Sequence, residues 1–233
     1  GADDILWRNS ADGTNAIWRS ADSAQAQGVT GITDPNWKIA GVGDYNADGA
    51  ADILWRNEVT GSNSIWRSGD SGQAQGVQDV ADAQWKIPAQ TGAAAPAASA
   101  PVNASFDLNG DGTSELLWRN ASSGVNAIWQ GGNATQALGI AAISDANWKI
   151  AGVADFSGDG KDDVLWRNAA TGDNAIWRSG DAGQSQGISA IGDLNWKIAG
   201  IGDFNGDHVE DMLWRNVCTG DNAIWRRADA GQG

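Results

Sequence analysis

Short apolar segments alternate with polar, glycine-rich ones along the whole chain, and the alternation repeats. The tetrapeptide Leu-Trp-Arg-Asn stands at Leu6–Asn9, Leu54–Asn57, Leu117–Asn120, Leu165–Asn168 and Leu213–Asn216, at intervals of 48, 63, 48 and 48 residues. Each unit holds four short apolar segments. Trp196–Phe204 is typical of the first, Asp163–Asn168 of the second, Asn174–Ser179 of the third, and Gln184–Ile188 of a weak fourth. Their length, their β-branched and Trp content and the glycine turns between them predict strands. Helical repeats are excluded by 32 glycines in 233 residues and by the lack of helical spacing between apolar positions.

Four strands per unit at a period near 48 predict an all-β fold, a β-propeller of five repeats, with one blade per repeat. The first unit lacks its leading strand and the last stops before its fourth, which gives about eighteen strands: three full blades and two of three strands. The chain reads as a single propeller over residues 1–233. The one long interval holds an Ala/Pro-rich segment, Pro88 to Pro101, expected to be a surface insert because it has too little bulk to build a core. Gly1 aligns with Gly160, in the middle of a motif, as expected of a processed chain or a fragment of a longer one.

Between the first and second strands lies a nine-residue acidic loop, present four times: 44–52, 107–115, 155–163 and 203–211. Oxygen-bearing side chains occupy its first, third, fifth and ninth places. They are Asp44, Asn46, Asp48 and Asp52; Asp107, Asn109, Asp111 and Glu115; Asp155, Ser157, Asp159 and Asp163; and Asp203, Asn205, Asp207 and Asp211. Alternate residues of a tight loop turn their oxygens inward, which suits a hard cation, and the seventh carbonyl (Ala50, Thr113, Lys161, Val209) can fill a further position. One such loop could be a metal-free Asx-turn. Four in register predict up to four structural Ca²⁺ ions. An EF-hand is disfavoured, since no bidentate Glu stands at the twelfth place and strands flank the loop. In the last copy His208 replaces the glycine that follows the third acidic ligand, so that site is expected to persist in weaker form.

The formal net charge is −14. A chain this acidic lacks the basic face that nucleic acid or an anionic membrane requires. No apolar run approaches the length of a membrane span, so membrane insertion is not expected. Cys218 is the one cysteine, so no intrachain disulfide can form, and calcium would be the staple of a secreted or surface-exposed chain.

These residues resemble the FG-GAP/VCBS repeat family of β-propellers, in the form Trp-x-Ile-Ala-Gly-x-Gly-Asp-Phe-Asn-Gly-Asp-Gly-x-x-Asp-Ile-Leu-Trp-Arg-Asn. The matching segments are 37–57, 148–168 and 196–216, with a variant at 85–120 split by the insert. The resemblance implies calcium in the loop of each blade and an extracellular module of adhesion or recognition, while indicating fold and metal more firmly than function.

Thirteen of the fourteen Trp residues are followed by Arg or Lys; Trp129 precedes Gln130. Neighbours in a strand face opposite ways, so each pair places a ring on one face and a cation on the other. One expectation is that rings pack between blades and the cations pair with Asp or stack on the next blade's Trp. The other is sugar recognition at the third-strand pairs Trp18/Arg19, Trp66/Arg67, Trp177/Arg178 and Trp225/Arg226. No nucleophile and base stand out, and the recurring acids are accounted for as metal ligands, so no catalytic residue is assigned. The expected function is non-catalytic binding of a glycan or protein ligand. A structural accessory role in a homo-oligomer or a larger complex is the alternative, because unfinished sheets attract partners.

Overall fold

A computed structural model describes residues 4–88, 106–229 and 231. Apart from Pro88, the Ala/Pro-rich insert lies outside the described residues. The described chain forms eighteen strands in five antiparallel sheets, a five-bladed β-propeller. Blade 1 is β1 (Ile5–Arg8), β2 (Asn15–Trp18) and β3 (Ala26–Val29). Blade 2 is β4 (Trp37–Gly43), β5 (Asp52–Asn57), β6 (Asn63–Trp66) and β7 (Ala74–Val77). Blade 3 is β8 (Trp85–Lys86), β9 (Leu116–Asn120), β10 (Asn126–Trp129) and β11 (Ala137–Ile140). Blade 4 is β12 (Trp148–Ala154), β13 (Asp163–Asn168), β14 (Asn174–Trp177) and β15 (Ser185–Ile188). Blade 5 is β16 (Trp196–Gly202), β17 (Asp211–Asn216) and β18 (Asn222–Trp225). Strands pair in chain order within each sheet.

The Leu-Trp-Arg-Asn strand is the centre of each blade. Its alternate residues serve two interfaces, as the pleat requires. In blade 2, Ile53 and Trp55 join Val29 of blade 1 in one buried cluster, while Leu54 packs with Leu116 and Trp118 of blade 3 in another. The pattern continues at blades 3/4 and 4/5. Trp55, Trp166 and Trp214 are completely buried and Trp118 nearly so. The forward-facing arginine crosses to the next blade. Arg56 lies 4.9 Å from the Trp118 ring, Arg119 5.0 Å from Trp166, Arg167 4.9 Å from Trp214, and Arg8 5.0 Å from Trp55. A desolvated guanidinium over an indole contributes about 0.5–2 kcal/mol. Each also donates to backbone: Arg167 Nη1 to the Gly172 carbonyl at 3.1 Å and Nη2 to the Ile191 carbonyl at 3.2 Å. Gly172 is compulsory at that turn. Its φ is +81°, and an added Cβ would lie 1.9 Å from the Ile191 oxygen.

The first and second strands shift register by one residue after Ile39, Ile150 and Ile198, a bulge in the Ile-Ala-Gly segment. The acidic loops connect these same two strands in blades 2 to 5, so all four emerge at one end of the blades.

Candidate metal centres

Each acidic loop is wound around its first aspartate. Asp155 Oδ1 accepts from the Gly158 and Asp159 amides at 2.6 and 3.2 Å, and Oδ2 from Gly160 at 2.8 Å. Asp203 accepts from Gly206, Asp207 and His208 in the same way. Asp44 accepts from Asp48 and Gly49, and Asp107 from Gly110, Asp111 and Gly112. The winding needs left-handed backbone at the sixth place, filled by Gly49, Gly112, Gly160 and His208, the last at φ 64°. It needs it at the fourth place as well, where Ala47 (φ 58°) stands beside Gly110, Gly158 and Gly206. The ninth-place acid closes the loop onto its own blade. Asp163 Oδ1 accepts from Ser179 N at 2.9 Å, Asp52 from Ser68 and Asp211 from Arg227.

The ninth-place acids Asp52, Glu115, Asp163 and Asp211 are buried, while the fifth-place acids are exposed. Ligand oxygens of Asp107, Asp111 and Glu115 lie within 4.8 Å of one another, the spread that oxygens on a shell of 2.3–2.6 Å radius can have. Burial pushes the Glu115 carboxyl up to about 8, with Asp107 and Asp111 adding repulsion against the hydrogen bond from the Leu108 amide. Burial likewise takes Asp163 up to about 6, helped by Asp155 and Asp159, and raises Asp52. Asp163 is fully buried and its Oδ2 has no partner among the described residues. An all-oxygen donor set with a buried, orphaned carboxylate oxygen fits a hard cation. In each loop the four side-chain ligands, with the seventh carbonyl, would hold it.

The eighth place carries no signal in the nine-residue pattern, yet it joins neighbouring loops. Ser114 N donates to the Asp44 carbonyl at 2.7 Å, Asp162 N to the Asp107 carbonyl at 2.8 Å, and Glu210 N to the Asp155 carbonyl at 3.1 Å. Asp162 Oδ2 also accepts from the Asp107 amide at 2.9 Å. Burial pushes both Asp162 and Glu210 up to about 7, and each is repelled by neighbouring loop aspartates. In the last loop Asp207 forms a 3.0 Å ion pair with Arg227 Nε.

At the third strands, Trp66, Trp177 and Trp225 are buried and Trp18 is half-buried. Each ring packs on its second-strand partner, as Trp177 does on Trp166 at 4.9 Å and Trp18 on Trp7 at 4.8 Å. Arg19, Arg178 and Arg226 are exposed and Arg67 is half-buried. Arg67 and Arg178 reach Gln75 and Gln186 of the adjacent strand, at 2.8 and 3.0 Å, and Arg19 pairs with Asp4 at 2.9 Å. Two clefts open between blades at equivalent places. One, of about 210 Å³, is lined by Lys38, Arg56, Glu58 and Lys86; the other, of about 280 Å³, by Lys149, Arg167 and Lys197.

Residues 107–166 match the FG-GAP-like repeat family. No curated protein matches the chain. Among solved structures, a chain in "Crystal structure of Nidogen/Laminin Complex" aligns with a TM-score of 0.40 at 10% identity, covering 96% of this chain and 93% of that one. A likeness so distant supports no conclusion. Among the described residues no helix is long and apolar enough to cross a membrane.

Proposed function

We propose that this chain, an FG-GAP-repeat β-propeller, is a calcium-stabilised, non-catalytic binding module of the cell exterior that recognises acidic glycans through its interblade clefts. Recurrence supports the calcium component. The same oxygen-only loop is wound the same way in four blades, and backbone hydrogen bonds run from one loop to the next. Bound calcium would offset the burial and mutual repulsion that push the Glu115 and Asp163 carboxyls up. Its role would be to fix the connection between two strands in each blade.

The clefts carry the ligand component. Lys38 with Lys86, and Lys149 with Lys197, bring two exposed ammonium groups to one interblade opening, beside an arginine already tied to backbone carbonyls. In a protein of net charge −14 such repeated cationic openings suit carboxylated or sulfated sugars. Arg19 and Arg178 stand at the other end of their strands, beside Asp4 and Asp163, and lie apart from the clefts. The third-strand indoles serve as packing on their second-strand partners, because Trp66 and Trp177 are buried with little ring surface left for a sugar. Several weak equivalent sites would give useful strength only on a multivalent surface.

A glycan array probed with and without calcium tests this. Binding to acidic glycans, weakened in Lys149→Ala/Lys197→Ala and lost when Lys38→Ala/Lys86→Ala is added, with unchanged melting temperature, is the expected result. Silence on every glycan would overturn the ligand assignment. Protein docking is the second reading, favoured by large apolar side chains left exposed on the first and last blades.

A further inference from the structure

Four times within this molecule, the forward face of one blade meets the rear face of the next. The forward face presents an aromatic or Leu from the acidic loop, the Leu and Arg of the second strand, and the Ile of the third. These are Tyr45, Leu54, Arg56 and Ile65 in blade 2, Leu108, Leu117, Arg119 and Ile128 in blade 3, and Phe156, Leu165, Arg167 and Ile176 in blade 4. Apart from the half-buried Arg167, all of them are buried. The rear face presents an aliphatic residue and two stacked Trp, as Val164, Trp166 and Trp177 do toward blade 3.

Both faces occur once more, uncovered among the described residues. On blade 5, Phe204 is 49% and Ile224 37% exposed, Leu213 is half-buried, and Arg215 is exposed and lies over no indole among the described residues. On blade 1, Ile5 is 38% and Trp7 47% exposed, whereas the four Trp equivalent to Trp7 are at most 1% exposed. Trp7 has no arginine over its ring among the described residues. Chemically the two faces are the halves of the interface already made four times, down to a guanidinium awaiting an indole. Because both are exposed in one molecule, they do not cover each other.

We infer that the forward face of blade 5 docks onto the rear face of blade 1 of a second copy of this chain. Arg215 then stacks on the partner's Trp7, and Phe204, Leu213 and Ile224 close over its Ile5. Contact of two unlike faces is heterologous, so it propagates head to tail into longer chains of copies or closes as a ring of copies. The inference stands apart from the calcium and glycan assignments, since none of these end-face residues is a loop ligand or a cleft lysine.

The test is sedimentation of the whole chain over a wide concentration range in calcium-containing buffer, with two single variants. The wild type should show mass-action growth beyond the monomer. Trp7→Asp alone and Leu213→Asp alone should each weaken association by about tenfold or more, as expected when one buried anchor of an interface is lost. Mixed together, they should form a heterodimer with wild-type affinity and grow no further, because each variant retains the face that the other lacks. Circular dichroism should match wild type, since both residues are at least partly exposed. If either variant misfolds, Ile5→Lys and Ile224→Lys replace them. A wild type that stays monomeric, including one in which the two faces of one chain close on each other, overturns the inference. So does self-association that survives in one single variant, which would mean like-with-like contact, or a mixture as weak as its components.

Discussion

At the residue scale, the second-strand sequence Leu-Trp-Arg-Asn is a two-sided connector. Trp faces back into the interface with the preceding blade, and Arg faces forward over the next Trp. Strand alternation and the cation-following tryptophans offered this arrangement as one of two readings, and the contacts of Arg8, Arg56, Arg119 and Arg167 select it for the second strand. The third-strand pairs were less legible. The sequence alone could not tell a ring lining a pocket from one stacked on a neighbour, because that depends on the cross-strand register that sets Trp177 about 5 Å from Trp166. At the last acidic loop two residues, one within it and one beside it, have a common consequence. His208 holds a left-handed backbone that favours glycine, and Arg227 already occupies one oxygen of Asp207. Removing the competitor should help the cation: Arg227→Ala is expected to strengthen calcium binding at that loop by a few-fold, the scale of an exposed ion pair. Calorimetric titration of wild type and variant would check it, and unchanged or weaker binding would argue that Arg227 supports the loop.

At the element scale, the strands and the acidic loops between them were readable because each is encoded within a few consecutive residues. What was not readable acts across blades. Asp162 reaches the Asp107 amide 55 positions away, and nothing local marks the eighth place for that task. Likewise Ala47 occupies left-handed backbone at a place where the other loops have glycine, a demand visible only once the loop is wound. The acidic elements also set a pH dependence. Glu115, Asp162, Asp163 and Glu210 have folded values raised to about 8, 7, 6 and 7. A carboxyl with a raised folded value favours the protonated fold. Its stabilising contribution is present below the ordinary carboxylate range and is lost as pH rises through the folded value. In chelator, the melting temperature should therefore fall between about pH 5 and pH 8. Calcium should flatten that slope, because the cation stabilises the ionised form. A chelated protein whose stability rises across this window would show that these groups are ionised and otherwise compensated.

At the scale of the whole molecule, stability comes from blade-to-blade interfaces in series, each with its own buried cluster. Such an array behaves like a repeat protein, in which neighbours support one another. The acidic loops fit that scheme as staples placed where chain connection and blade contact coincide, at Asp44–Ser114, Asp107–Asp162 and Asp155–Glu210. A chain of net charge −14 with no disulfide needs such staples more than most. The central claim, that calcium holds this propeller together, is tested most directly by thermal unfolding at neutral pH in millimolar-range calcium and in excess chelator. A ligand that binds the folded state alone stabilises by mass action, about 2.7 kcal/mol for each independent site at a hundredfold excess over its dissociation constant. The account predicts a melting temperature that rises with calcium concentration and falls back on chelation. Coincident unfolding curves in calcium and in chelator would contradict it.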